Sequence, residues 1–334
     1  MKKIYILVLL VVSGFSFGQT FSFTGTGALT SNGWTTHSGT TGQQTILTSV
    51  SDSGNSLYKA GLSASTGNRT SIIAGNSEDV NIPITAPITS GFIYYSVLVK
   101  VDPTALNTNS STGDYSLALT SVASATTTTF QSRIYMKLGT NPNNFAVGVL
   151  NNSGGTAAPA YSSTELAGGT THLLVVKYDL SSNTASLIVN PTPGGTEPTA
   201  NATNVTGTTA APAQIAGFVI RQAGTSTAGT GNVEIDEIRV GTTFSSVTPS
   251  SLKINQNSIA GLEIYPNPVT GNILNIETAA NETKTVAIFD VLGKQVLNVS
   301  TDTTTVNVGN LNAGVYIVKI TEEGKTATRK LVVR

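Results

Sequence analysis

The chain has no cysteine and only two histidines, His37 and His172, in 334 residues. Disulfides, thiolate nucleophiles and cysteine-ligated zinc are therefore excluded, and two histidines cannot build a three-histidine zinc site. Charge is scarce as well: 11% of residues are charged, against about 25% in an average soluble domain. Lys and Arg number 18 and Asp and Glu number 18, so the formal net charge is zero, and no basic footprint for nucleic acid exists. Aromatics amount to 6%, with a single tryptophan, Trp34. No apolar run approaches the ~20 residues that span a bilayer. Thr, Ser, Asn and 33 glycines fill the chain instead; these favour turns and solvated strand faces and supply few titratable groups.

The first residues read Lys2-Lys3, then an apolar core from Ile4 to Val12, then small residues at Ser16 and Gly18 ahead of polar Gln19. A basic start, a short apolar core and a small-residue cleavage site predict a signal peptide over 1–18. The mature chain then starts at Gln19, enters the periplasm and carries no transmembrane span.

Charge places a boundary near residue 250. Residues 19–249 hold 8 basic and 11 acidic residues, whereas the much shorter 250–334 holds 8 and 7. The Ser/Thr/Pro/Asn-rich stretch at the junction has linker composition. Before it, runs of Val, Ile, Tyr and Thr alternate with Gly, Asn, Pro and Ser clusters, which predicts strands and no long helix. Clear cases are Gly91–Val101, Asp114–Thr120, Ser132–Leu138, Phe145–Leu150, His172–Leu180, Thr184–Asn190, Ile215–Gln222 and Val233–Val240. Ser182-Asn183 forms the tip of a hairpin. So many short strands over about 230 residues predict a two-sheet sandwich.

The segments EDVNIPI (78–84), GFIYYSVLVKVD (91–102), HLLVVKYDL (172–180) and GNVEIDEIRVGTTFSSV (231–247) resemble concanavalin A-like, laminin-G-type sandwich domains of secreted Bacteroidota proteins. The resemblance implies an all-β jelly-roll over 19–247 with Ile235–Val240 as its closing strand. It implies little about activity, since the architecture hosts lectins, adhesins and glycosidases.

Farther on, LEIYPNPVTGNILNIE (262–277), VAIFDVLGKQVLNV (286–299), LNAGVYIVKI (311–320) and TATRKLVVR (326–334) resemble, in order, the type A C-terminal sorting domain of the type IX secretion system. That implies a small immunoglobulin-like β-sandwich over 262–334, after a linker at 248–261. It also implies the secretion machinery as partner, and export through the periplasm to the outer-membrane surface or the medium. Pro266, Asn267, Pro268, Gly293, Lys294, Gly314 and Tyr316 carry the match. The two prolines end the first strand of this domain, and Gly293 and Gly314 are expected at turn positions with positive φ.

Chemistry is harder to find. Glu234 and Asp236 share a strand face, but the ExDxxE spacing of laminarinase-type glycosidases would require a second glutamate where Arg239 stands. No Gly-x-Ser-x-Gly elbow or phosphate loop occurs. No cofactor is expected; a structural calcium ion would draw on Asp79 and Asp236. Glycan binding uses aromatic platforms beside planar polar groups; alternation turns Tyr94, Arg133, Tyr135 and Lys137 outward, and Trp34 lies in a Gly/Thr-rich loop. The expectation is a non-catalytic glycan-binding or adhesion module. The alternatives are a polysaccharide-active enzyme of the same fold, or a surface-coat domain without a specific ligand.

Overall fold

The structure, a computed structural model, describes residues 18–50, 54–106, 112–222, 230–251 and 259–334. Apart from Gly18, the signal peptide lies outside the described residues, as does 252–258 of the linker. The chain divides into two units between Ser251 and Leu252.

In the first unit the short β-branched and aromatic runs pair as strands. In chain order these begin β1 (Gly18–Phe21), β2 (Gly27–Ala28), β3 (Thr35–Ser38), β4 (Thr45–Leu47), β5 (Arg69–Ile72) and β6 (Asp79–Ile88). Next come β7 (Phe92–Asp102), β8 (Asp114–Thr120), β9 (Gln131–Leu138), β10 (Asn144–Leu150), β11 (Ala160–Tyr161) and β12 (Leu166–Ala167). The last are β13 (Thr171–Asp179), β14 (Thr184–Val189), β15 (Ala202–Asn204), β16 (Ile215–Ile220) and β17 (Asn232–Gly241). One sheet runs β15-β14-β13-β7-β17-β5-β4-β2, with β1 also on β17; the other runs β11-β10-β9-β8-β16-β6-β3, with β12 on β10.

Alternation sends one face of each sheet into a common core. Ile93, Tyr95, Val97, Val99 and Val101 of β7 meet Ile134 and Met136 of β9 and Phe218 and Ile220 of β16 there. The fold is a two-sheet, jelly-roll sandwich. Tyr95, fully buried, ties the sheets directly: its hydroxyl donates to the Ser132 carbonyl at 2.5 Å and its ring meets Phe218 edge-on at 5.3 Å.

Strand β17 would lose its alternation without a correction, because Val233 and Ile235 point inward and so do Ile238 and Val240. The register against β7 shifts between Asp236 and Arg239, and Glu237 has φ 49°. This bulge absorbs one residue, so Ile238 returns to the core and Arg239 stays out of it.

The outer face of the β7 sheet is largely covered. Tyr94, Leu98, Leu173, Val175 and Ile188 form a second apolar layer with Leu57, Leu62, Phe244 and Val247 from the segments folded over them. The end of the unit is tied down too: Ser63 N–H donates to Pro249 O and Ser251 N–H to Gly61 O, each at 2.8 Å. The sandwich's hydrogen bonding thus runs through residues whose composition predicts linker.

The second unit holds β18 (Glu263–Tyr265), β19 (Ile273–Glu277), β20 (Lys284–Phe289), β21 (Gln295–Thr301), β22 (Thr305–Asn307), β23 (Gly314–Glu322) and β24 (Lys325–Val333). The sheets β18-β19-β22 and β21-β20-β23-β24 enclose a core of Val269, Leu274, Ile276, Val286, Ile288, Val318, Ile320 and Leu331. This is the small immunoglobulin-like sandwich. Tyr265 ends β18 and the peptide bonds before Pro266 and Pro268 are cis. Between them the Asn267 carboxamide donates to Lys330 O at 2.7 Å and accepts from Val332 N–H at 2.9 Å. Gly293 has φ 83° in the β20–β21 hairpin, where Asp290 Oδ1 accepts from the N–H groups of Leu292 and Lys294. Gly314 differs from expectation: it is not in the left-handed region but pairs with Val333 as the first residue of β23. The turn before it is held instead by the Tyr316 hydroxyl, which donates to Asn312 O at 2.8 Å.

Candidate functional site

Arg133, Tyr135 and Lys137 alternate with the core residues Ile134 and Met136, so they stand together on the outer face of the β9 sheet. Tyr94 does not join them. It belongs to the other sheet, is 4% exposed, packs edge-on against Phe244 at 6.5 Å and donates its hydroxyl to Glu197 at 2.8 Å. Trp34 is also withdrawn, lying in the core with ring centroids 6.2 Å from Phe21 and 6.1 Å from Phe23.

The open face gains residues that the sequence reading missed. Tyr115 of β8 pairs directly with Tyr135, their rings 5.7 Å apart, and Phe130 follows 6.0 Å from Tyr115. Two guanidinium groups lie against Tyr115, Arg221 at 4.3 Å and Arg133 at 4.9 Å from the ring centroid. Arg221 is anchored by Asp114 at 2.7 Å and by Tyr115 O at 3.1 Å. Arg133 Nε donates to Phe130 O at 3.1 Å, and among the described residues Arg133 forms no ion pair. At the far end the Lys137 ammonium sits 4.3 Å from the Tyr161 ring, which rests over Gly148 of β10; a Cβ there would come within 2.9 Å of a Tyr161 ring carbon. All these side chains are half-buried, so each is held by its neighbours and still reachable.

His37, Asn81 and Asp79 border the same face from β3 and β6. The His37 ring lies 5.6 Å from Phe130 and its Nδ1 is 3.1 Å from Asn81 Nδ2. Burial lowers the His37 pKa to about 4, so the ring is neutral at physiological pH. Burial pushes the Asp79 carboxyl up to about 6 against the Gln222 N–H and Arg221, which favour its charge.

Asp79 and Asp236 do not meet: they occupy different sheets. Asp236 accepts from Leu57 N–H and Glu237 N–H, each at 2.8 Å, and burial raises it to about 7 against these donors. Glu237 accepts from Thr66 N–H at 2.7 Å and pairs with buried Arg239, while Glu234 pairs with Arg69 at 2.8 Å. The acidic cluster is therefore spent on fastening the 54–67 segment to β17. Among the described residues no three His, Asp or Glu side chains converge as a metal site. A cleft of about 480 Å³ beside Lys100, Asp102, Asn232 and Glu234 lies on this same β7 sheet, away from the aromatic face.

Residues 263–334 match the family model for the secretion system C-terminal sorting domain. This segment is a sorting domain of the type IX system, and it directs the chain to secretion, at the cell surface or in the extracellular space. No curated protein matches the chain. Among solved structures, a protein of unknown function from Shewanella oneidensis MR-1 overlaps 71% of this chain and 91% of its own at 16% identity and TM-score 0.40. Arcelin-5, a lectin-like defence protein of Phaseolus vulgaris, overlaps 68% and 98% at 12% identity and TM-score 0.29. A legume lectin-like domain from Entamoeba histolytica overlaps 54% and 87% at 10% and 0.32. Likenesses this loose transfer no ligand or activity. No helix among the described residues is long and apolar enough to cross a membrane.

Proposed function

We propose that the sandwich preceding this sorting domain is a non-catalytic glycan-binding module, exported through the periplasm, whose contact surface is the outer face of the β9 sheet. One observation carries the reading: Phe130, Tyr115 and Tyr135 form a continuous aromatic row with ring spacings of 6.0 and 5.7 Å, flanked by the guanidinium groups of Arg133 and Arg221. Sugar rings place C–H faces on aromatic planes while hydroxyls bond fixed planar donors, and the row offers both on a rigid support. The Arg133 guanidinium, which forms no ion pair among the described residues, favours glycans that carry carboxylate or sulfate groups. Absence of catalysis is supported by the commitment of Glu234, Asp236 and Glu237 to backbone donors and arginine partners.

A glycan array probed with the full mature chain, with and without calcium, tests this. Retention of acidic glycans that weakens with salt, and is lost in Tyr135→Ala and Arg133→Ala, is the expected result. A blank array, or binding unchanged in both variants, would overturn it.

A further inference from the structure

We propose a second saccharide site on the opposite sheet, in a groove of about 260 Å³ over the β13–β14 hairpin, selective for neutral or amino sugars and against uronates. It is built by register. Phe92 of β7 stands opposite Asp179 of β13, which stands opposite Thr184 of β14; one step along, Tyr94 stands opposite Lys177, which stands opposite Ser186. Period-two alternation puts all six side chains on the outer face, where Tyr94 marks the edge of the apolar layer that covers the rest of this sheet.

The groove offers a hydrophobic ring set among fixed polar groups. Phe92 is 45% exposed, the only aromatic of β7 left so. Its ring is held in place by the Lys177 ammonium, 4.3 Å from the centroid, and that ammonium is fixed by Glu197 at 2.9 Å. Glu197 is fixed in turn by the Tyr94 hydroxyl. On the other side Asp179 accepts from Ser181 N–H at 2.9 Å and from the hydroxyls of Ser181 and Ser182 at 2.7 and 2.8 Å. These donors hold its carboxyl below the usual range, so it is charged at any physiological pH.

These groups choose the ligand class. Two carboxylates against one ammonium give the groove a net negative charge, which repels phosphates and uronates and accepts hydroxyl or ammonium donors. A purely apolar ligand would strand the carboxylates and the Ser and Thr hydroxyls. The volume is below the ~300–1,000 Å³ of sites that engulf a drug-sized molecule, and fits one or two sugar rings lying on Phe92. The polarity is opposite to that of the β9-sheet face, so the two sites take different sugars and one sandwich links two glycan chains.

The test is amide-shift mapping by NMR on the chain from Gln19 to Arg334, titrated separately with glucose, galactose, N-acetylglucosamine, glucosamine, glucuronate and galacturonate. Saturable shifts at Phe92, Asp179 and Ser182 are expected with at least one neutral or amino sugar and with neither uronate. Phe92→Ala, at an exposed position, should weaken that binding about fivefold, the order a stacked ring supplies. Asp179→Asn should admit glucuronate. No groove shifts with any neutral or amino sugar, or an affinity left unchanged by Phe92→Ala, would overturn the site. Shifts at Tyr115 and Tyr135 report the β9-sheet face separately, so either site can fail while the other stands.

Discussion

The side chain of Asn267 pairs with the backbone around Val332 as a neighbouring strand would, giving one hydrogen bond to Lys330 O and taking one from Val332 N–H. The pairing continues through the backbone, with Val269 N–H donating to Val332 O and Arg334 N–H to Val269 O. The Pro-Asn-Pro segment thereby covers the end of an edge strand, where unpaired N–H and C=O groups would otherwise be exposed.

Removing either half of this two-way bond should cost about 1 kcal/mol. Asn267→Ala loses both halves and Asn267→Asp keeps only the acceptor. Both are expected to lower the melting temperature of the sorting domain, with the alanine variant lower, as read by calorimetry. Equal stability of all three proteins would show that the contact is inert.

Export depends on this domain, so a chain ending at residue 261 should accumulate in the periplasm and the full chain should not. Fractionation and immunoblotting read the result directly.

Tyr95 bridges the two sheets with both its ring and its hydroxyl. Tyr95→Phe strands the buried Ser132 carbonyl at a cost of about 1–3 kcal/mol. Tyr95→Ala adds a cavity and should cost about 3–5 kcal/mol. Urea unfolding midpoints are expected in the order wild type, Tyr95→Phe, Tyr95→Ala.

The buried histidine gives a signed pH effect. The His37 pKa falls from an ordinary 6.5 to about 4 in the fold, so the folded state binds fewer protons than the unfolded state between those values. Its stabilisation is complete above about pH 6.5 and lost as pH falls toward 4, to the extent of about 1–2 kcal/mol after solvent screening of a half-exposed ring. Asp79 and Asp236, raised to about 6 and about 7, act with the opposite sign over an overlapping range. The comparison is therefore between wild type and His37→Gln: the stability gap between them should narrow on acidification from pH 7 to 4. A constant gap would place the His37 pKa near its ordinary value.

Much of the strand layout was legible because alternation and turn residues are local signals. Asp114–Thr120 matches β8 at both ends, and Ser182-Asn183 lies in the β13–β14 hairpin as expected. Strand β6 is less legible than its neighbours, since Pro83 and Pro87 interrupt its run. Strand β3 pairs only with Asp79–Asn81, so the prolines fall where one side of β6 has no partner needing an N–H. The candidate face was legible at Arg133, Tyr135 and Lys137 but not at Tyr115. Strict alternation groups Tyr115 with Leu117 and Leu119 of the core, and the register irregularity between Tyr115 and Leu117 turns it outward. Tyr94 failed for another reason: alternation tells which side of a sheet a residue faces and nothing of what chain will later cover that side. Phe130 and Tyr161 arrive from outside the long strands, where no periodicity marks them.

The bulge at Glu237 is where the closing strand can change length without changing sides. Removing Glu237 leaves Val233, Ile235, Ile238 and Val240 in plain alternation, so the same side chains stay inside and Arg239 stays out; what is lost is the tie to Thr66 N–H and the pairing with Arg239. Removing or adding one residue in the regular runs on either side would instead exchange inside and outside beyond that point. Single-residue deletions should therefore be survivable at the bulge and disruptive in the rest of β17.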